Sequence, residues 1–169
     1  MMKSAYIGAI ENTVLGAVWL AFSRDGLVAV GVRESQALFR ERLARMGFNQ
    51  VVADQERLAV PLAQMSEYLN GARRDFDFSI DWSVLTPFQQ DVLQATLAIP
   101  YGQTRTYAEI AGQVGKPRAA RAVGRAEATN PMPVVIPCHR VIGSDGKLHG
   151  YGAGEGLPTK AWLLELEGR

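Results

Sequence analysis

Thr86-Pro87-Phe88-Gln89 constrains the fold of this chain more tightly than any other stretch. A threonine N-cap, a proline at the first helical position and a glutamine three residues after the cap form a capping box, so a helix must start there. It runs to about Ala98, with Phe88, Val92, Ala95 and Leu97 as its apolar positions. The box also divides the chain. Before it lie most of the alternating, β-branched runs, and after it helical spacing takes over.

In the first part, Tyr6 to Ile10, Gly16 to Phe22 and Gly26 to Val32 read as strands, and Ser23-Arg24-Asp25-Gly26 turns the last two into a hairpin. Leu38, Phe39, Leu43 and Met46 predict a helix from Gln36 to Met46 that Gly47 closes. A second helix carries Leu58, Leu62, Met65 and Leu69 and stops at Asn70-Gly71. Phe76 to Ile80 alternates like an edge strand. The expected architecture is an α/β N-terminal domain over 1–80, with a small antiparallel sheet and helices acting as scaffold, and a linker over 81–85. A mostly α C-terminal domain with a helix-turn-helix follows over 86–169.

Thr106-Tyr107-Ala108-Glu109 is a second capping box, on a short helix ending near Val114-Gly115. Gly115-Lys116-Pro117 turns the chain into a helix from Arg118 to about Ala128, which completes a helix-turn-helix. At 100° per residue Arg118, Arg121 and Arg125 fall within an arc of about 60°. Ala119, Ala122, Val123 and Ala126 form the stripe expected to face the core. The small residues Ala120, Gly124 and Ala128 beside the arginines allow a close approach to a nucleic-acid groove, and a solvated basic face would show the same pattern. The formal net charge is only +1, yet residues 101–147 hold seven Lys and Arg against three Asp and Glu. The basic excess is local, as on a docking face.

Cys138, the only cysteine, stands beside His139, one of only two histidines, at the end of the apolar run Val134-Val135-Ile136. A thiol is a strong nucleophile only as thiolate, and an imidazole is a ready base for it; a buried inert cysteine is the competing reading. One cysteine excludes an internal disulfide and, with two histidines, leaves no ordinary structural zinc set. No apolar run suggests a leader or a membrane span, so the expectation is a soluble cytoplasmic chain. Asn130 precedes Pro131 in a turn, where bonding to backbone is its usual task. The loop Gly150-Tyr151-Gly152-Ala153-Gly154-Glu155-Gly156 lacks the strand-loop-helix setting of a phosphate loop. On the last helix, from Pro158 to Glu167, the wheel puts Glu167 on the apolar side and Glu165 outside it. A buried carboxylate needs a partner, here His139 or an arginine, unless the last turn frays and Glu167 reaches water. Thiol, imidazole and carboxylate together form an activated nucleophile. A cysteine hydrolase could use that set, while a plain helix-turn-helix regulator would leave it idle.

From Thr86 to Gly168 the chain resembles the O6-alkylguanine-DNA alkyltransferases. The resemblance rests on Phe88-Gln89, Ile99-Pro100-Tyr101-Gly102, Ala119-Ala120-Arg121-Ala122-Val123-Gly124, Asn130-Pro131 and Pro137-Cys138-His139-Arg140-Val141. It implies a ribonuclease-H-like N-terminal domain and a helix-turn-helix that enters the minor groove of double-stranded DNA as a monomer. O6-alkylguanine, and also O4-alkylthymine, would be flipped out of the duplex, because the substituent cannot reach a thiol from inside the stack. The resemblance makes Cys138 the nucleophile and single-use alkyl acceptor, His139 its base through water, Glu167 the residue that orients His139, and Asn130 the support of the active-site turn. Arg121 would be the finger replacing the flipped nucleotide. Tyr107 would assist flipping and polarise the base, with Ala120, Gly124, Arg118 and Ser144 completing the DNA contacts. Tyr107, Pro133, Val141, Tyr151 and Gly152 would form the substrate pocket. No cofactor and no metal are implied. Leu93 stands where the family usually has tryptophan, and the loop from Tyr151 to Leu157 is longer than the usual form. A non-catalytic recognition protein of the alkyltransferase-like type is the alternative, and Cys138 argues against it.

Overall fold

The structure, a computed structural model, describes residues 2–168, and these fall into two compact units that divide between Val84 and Leu85. In the first unit, β1 (Lys3–Thr13), β2 (Gly16–Phe22) and β3 (Leu27–Val32) form an antiparallel meander. Helix α1 (Gln36–Arg45) crosses over and returns the chain as β4 (Phe48–Ala53), which pairs parallel to β1, giving the order β3-β2-β1-β4. The sheet is therefore mixed and not purely antiparallel. The alternating-residue pattern overlooked β4 because Asn49, Gln50, Val52 and Ala53 are exposed, so backbone pairing with β1 defines the strand more than burial does. Past β4 the side chain of Gln55 continues that edge, accepting from the Ala9 amide at 3.0 Å and donating to the Ala9 carbonyl at 2.7 Å.

The core of this unit gathers Ala5, Ile7, Ala21, Val28, Ala29, Phe39, Leu43 and Phe48. Gly31 is what lets α1 come close, since a Cβ there would stand 2.8 Å from the Phe39 ring. Helix α2 (Ala59–Leu69) buries Leu62, Met65, Tyr68 and Leu69. The expected edge strand at Phe76–Ile80 reduces to one bridge, Leu27 with Ile80. Phe76 and Phe78 instead pack their rings, Phe78 edge-on to Phe22 at 5.2 Å and Phe76 against Tyr68 at 5.4 Å. Nor is the stretch after it a bare linker. Asp81 is buried and accepts hydrogen bonds from the Ser23 and Ser83 hydroxyls, both at 2.6 Å, and Trp82–Val84 winds into one 3-10 turn.

The second unit opens with α3 (Pro87–Leu97), and its capping box closes as the residue types require: Gln89 N donates to Thr86 Oγ1 at 3.3 Å, and Thr86 N donates to Gln89 Oε1 at 3.1 Å. The second box starts α4 (Tyr107–Gln113), with Glu109 N on Thr106 Oγ1 at 3.1 Å and Thr106 N on Glu109 Oε2 at 2.6 Å. Helix α5 (Ala120–Ala128) begins two residues later than the spacing suggested, leaving Arg118 in the preceding turn. It is also rotated from the expected face: Ala122 is exposed, and Glu127 is buried beside Val123 and Ala126. A stripe drawn from apolar residues alone could not include a glutamate. The core joins Val92, Ala95, Ile99, Ile110, Ala111, Val123, Ala126 and Val141, and Leu93 is fully buried. The two-residue strands β5 (Arg105–Thr106) and β6 (Val141–Ile142) pair in parallel, and α6 (Leu157–Leu166) closes the unit. That short pairing brings the chain just after Cys138 alongside the start of α4. Among the described residues no helix is long and apolar enough to cross a membrane.

Candidate active site

Asn130 shapes the segment that carries Cys138. Its Oδ1 accepts from Met132 N at 2.9 Å and its Nδ2 donates to Ile136 O at 3.0 Å, so one side chain ties both ends of 132–136. Ile136 N closes the same loop onto Met132 O at 2.9 Å. Between these ties Val134 is held at φ 74°, a left-handed conformation that costs a β-branched residue about 1–3 kcal/mol and persists only where the surroundings enforce it. Pro137 then leads into the 3-10 turn Cys138–Arg140, with Cys138 N donating to Ile136 O at 2.8 Å.

The next two residues of that turn meet the end of α6. His139 is fully buried, and its Nε2 lies 2.9 Å from Glu167 Oε1. Arg140 binds the same carboxylate twice, through Nε to Oε2 at 2.9 Å and Nη2 to Oε1 at 2.8 Å, and donates from Nη1 to Ile99 O at 2.6 Å. Gly102 N adds a bond to Oε2 at 3.2 Å. The frayed-turn alternative for Glu167 is excluded, since its side chain has no exposed surface. A forked guanidinium on an acceptor-only carboxylate leaves Nε2 of His139 as the donor to Glu167 and makes Nδ1 the basic ring nitrogen. Burial lowers the His139 pKa against the pull of Glu167, so the ring is neutral and able to accept a proton.

Cys138 lines a small cavity of about 30 Å³ with Tyr107, Gly124, Glu127, Ala128, His149, Gly150, Tyr151 and Lys160. Burial, reinforced by Glu127, pushes the thiol up to about 12, while a hydrogen bond from the Asn130 side chain and the charge of Lys160 oppose the rise. At rest the sulfur keeps its proton, so it becomes a nucleophile only when a base removes that proton during reaction. Lys160, almost entirely buried, donates to Val141 O at 2.6 Å and to Tyr107 OH, His149 O and Gly150 O at 3.3 Å each. Tyr107 OH donates to His149 O at 2.6 Å, and burial raises the phenol to about 12, so it stays a neutral donor.

The structure thus brings Cys138, His139, Glu167 and Asn130 to one place, with Tyr107 and Tyr151 in the cavity wall. Pro133, Val141 and Gly152 lie outside that lining: Pro133 and Val141 are buried, and Gly152 passes so close to α5 that a Cβ would stand 2.6 Å from Ala128 O. Arg118 and Arg121 are exposed, Ala120 and Gly124 are half-buried, and Ser144 is exposed in the turn before Lys147. Residue spacing overlooked Glu127 and Lys160 and left the arginine partner of Glu167 open. A signal existed for the lysine, because Lys160, Leu163, Leu164 and Glu167 follow one helical stripe. Among the described residues no three His, Cys, Asp or Glu side chains are gathered for a metal ion.

Residues 87–169 match the family described as 6-O-methylguanine DNA methyltransferase, DNA binding domain. The methylated-DNA–protein-cysteine methyltransferase, inducible, of Bacillus subtilis is 39% identical over 153 residues, covering 89% of this chain and 84% of that protein. The chain belongs to this methyltransferase family. The methylated-DNA–protein-cysteine methyltransferase of Mycobacterium tuberculosis is 53% identical over 104 residues, 62% of this chain, and the match spans about three fifths (61%) of that relative's length. The solved structure of Mycobacterium tuberculosis OGT in complex with DNA superposes with a TM-score of 0.80 at 38% identity, covering 96% of this chain and 92% of that one. The stretch matching the methyltransferase DNA-binding domain contains every residue of the cavity lining.

Proposed function

We propose that this chain repairs alkylated DNA directly, taking the O6-alkyl group of guanine, and the O4-alkyl group of thymine, onto Cys138 in one irreversible displacement. The observation that carries the reading is the cluster of Cys138, His139 and Glu167 with Asn130, found in a chain of this family. The flipped base enters with its O6 carbon toward Sγ. As the S–C bond forms and the C–O6 bond breaks, the thiol proton passes through water to His139 Nδ1 and finally to the departing guanine. Glu167, fixed by Arg140, holds the ring and stabilises the imidazolium while it exists. Tyr107 polarises the base and helps extrude its nucleotide. A thioether is a poor leaving group, so Cys138 is consumed and each molecule reacts once. No cofactor takes part.

In this reading the unit from Leu85 is the DNA-binding and alkyl-acceptor domain, and the unit ending at Val84 is its scaffold. A monomer docks α5 in the minor groove of double-stranded DNA, with Arg121 filling the place of the flipped nucleotide. Ala120, Gly124, Arg118 and Ser144 make the surrounding contacts. Pro133, Val141 and Gly152 shape the pocket from behind its wall. The protein acts in the cytoplasm. The test is to incubate it with duplex DNA containing O6-methylguanine and weigh it. The mass rises by one methyl group per molecule, and Cys138→Ser abolishes the gain. Binding without a mass change would instead mark a recognition protein that performs no transfer.

A further inference from the structure

Glu127 is a buried acid that the alkyl-transfer scheme does not use, although it shares the cavity wall with Cys138. It is 5% exposed, Oε1 contacts Thr96 Oγ1, and Oε2 is buried without a hydrogen-bond partner among the described residues. Thr96 Oγ1 also lies 2.9 Å from Val92 O, one turn back on α3. A hydroxyl has one proton, so if it serves Val92 the contact with Glu127 is satisfied by a proton on the carboxyl. Burial acts in the same direction, pushing Glu127 up to about 8. Lys160 cannot supply the missing partner, because its three ammonium hydrogens already face four oxygens. Oε2 is thus the carbonyl oxygen of a neutral acid, a closed-off and unpaired acceptor on a residue that lines the cavity together with Cys138.

We propose that Glu127 is a specificity-determining residue whose free acceptor oxygen selects O6 substituents ending in a hydrogen-bond donor, such as 2-hydroxyethyl, over aliphatic groups of the same length. A hydroxyl at the end of the substituent satisfies Oε2 while the first carbon meets Sγ. A terminal methyl leaves Oε2 as unpaired as it is at rest, so the aliphatic group gains nothing there. A site that hydrogen-bonds its ligand discriminates against the analogue lacking the bond far better than an apolar wall does.

The inference rests on the alkyl-transfer reading, and the test separates the two. Transfer from matched duplexes carrying O6-(2-hydroxyethyl)guanine, O6-n-propylguanine and O6-methylguanine is followed by mass in the full chain and in Glu127→Gln and Glu127→Met. The expected hydroxyethyl-to-propyl rate ratio in the unsubstituted protein is about tenfold. Gln keeps most of it through its amide oxygen, and Met reduces it at least fivefold. Met should fold, because it removes an unpaired buried acceptor and leaves Thr96 bonded to Val92. A ratio equal in the Met variant and the unsubstituted protein overturns the inference while methyl transfer still upholds the function. No transfer of any group to Cys138 overturns both.

Discussion

At the residue scale, the site depends on groups buried with few alternatives to their present partners. Glu127 gives this a pH signature. Its carboxyl keeps a proton up to about pH 8 when folded but releases it near the ordinary 4.5 when unfolded. Between those values the folded state holds the extra proton, so stability falls as pH rises, by on the order of 1 kcal/mol per pH unit, and this contribution is level outside the window. Denaturant titrations of Glu127→Gln against the unsubstituted protein should differ in slope between pH 5 and 8, and parallel curves would refute a buried protonated acid. Glu167→Gln removes the charge facing Arg140 and should cost about 3–5 kcal/mol in the same titration. Asn130→Ala releases both ties on the Val134 loop, with an expected loss of about 2 kcal/mol and a slower transfer rate. A variant as stable and as fast as its parent would remove Asn130 from the site's support.

At the scale of elements, α5 presents two chemically different faces. Val123, Ala126 and Glu127 point inward, and Arg121 and Arg125 are exposed. Arg121→Ala should therefore slow repair in duplex DNA more than it slows reaction with free O6-benzylguanine, measured as second-order rates. Equal losses would count against a finger role. The helix starts show where local sequence was sufficient. Both capping boxes form at the residues that spell them, because a cap is an interaction between neighbours four positions apart at most. Strand β4 and the true inward face of α5 were not legible, because a strand needs its partner's backbone and a buried glutamate needs Thr96 from another helix. Phe76–Ile80 misled for the converse reason: its alternating rings pack without a ladder.

At the scale of the whole molecule, alkylation should be felt well beyond Cys138. The sulfur is buried in a cavity of about 30 Å³, and a transferred group larger than methyl exceeds the room available. Overpacking of this kind costs about 1–3 kcal/mol, or roughly 3–10 °C in melting temperature for a chain of this size. Thermal unfolding before and after reaction with O6-benzylguanine measures it, and coincident melts would show that the pocket yields without strain.

The amino-acid order alone determined where the two capped helices α3 and α4 begin, that strands dominate the first unit and helices the second, and that Cys138, His139 and Glu167 were worth joining. Those are properties of neighbours and of periodicity, which a linear string carries. Only the tertiary structure decided that Arg140 locks Glu167 beside His139, that Lys160 occupies itself with four oxygens, and that Glu127 shares a cavity with the thiol. Each of those facts is a balance of desolvation and hydrogen bonding between residues far apart in the chain, and burial exists only once the chain has folded.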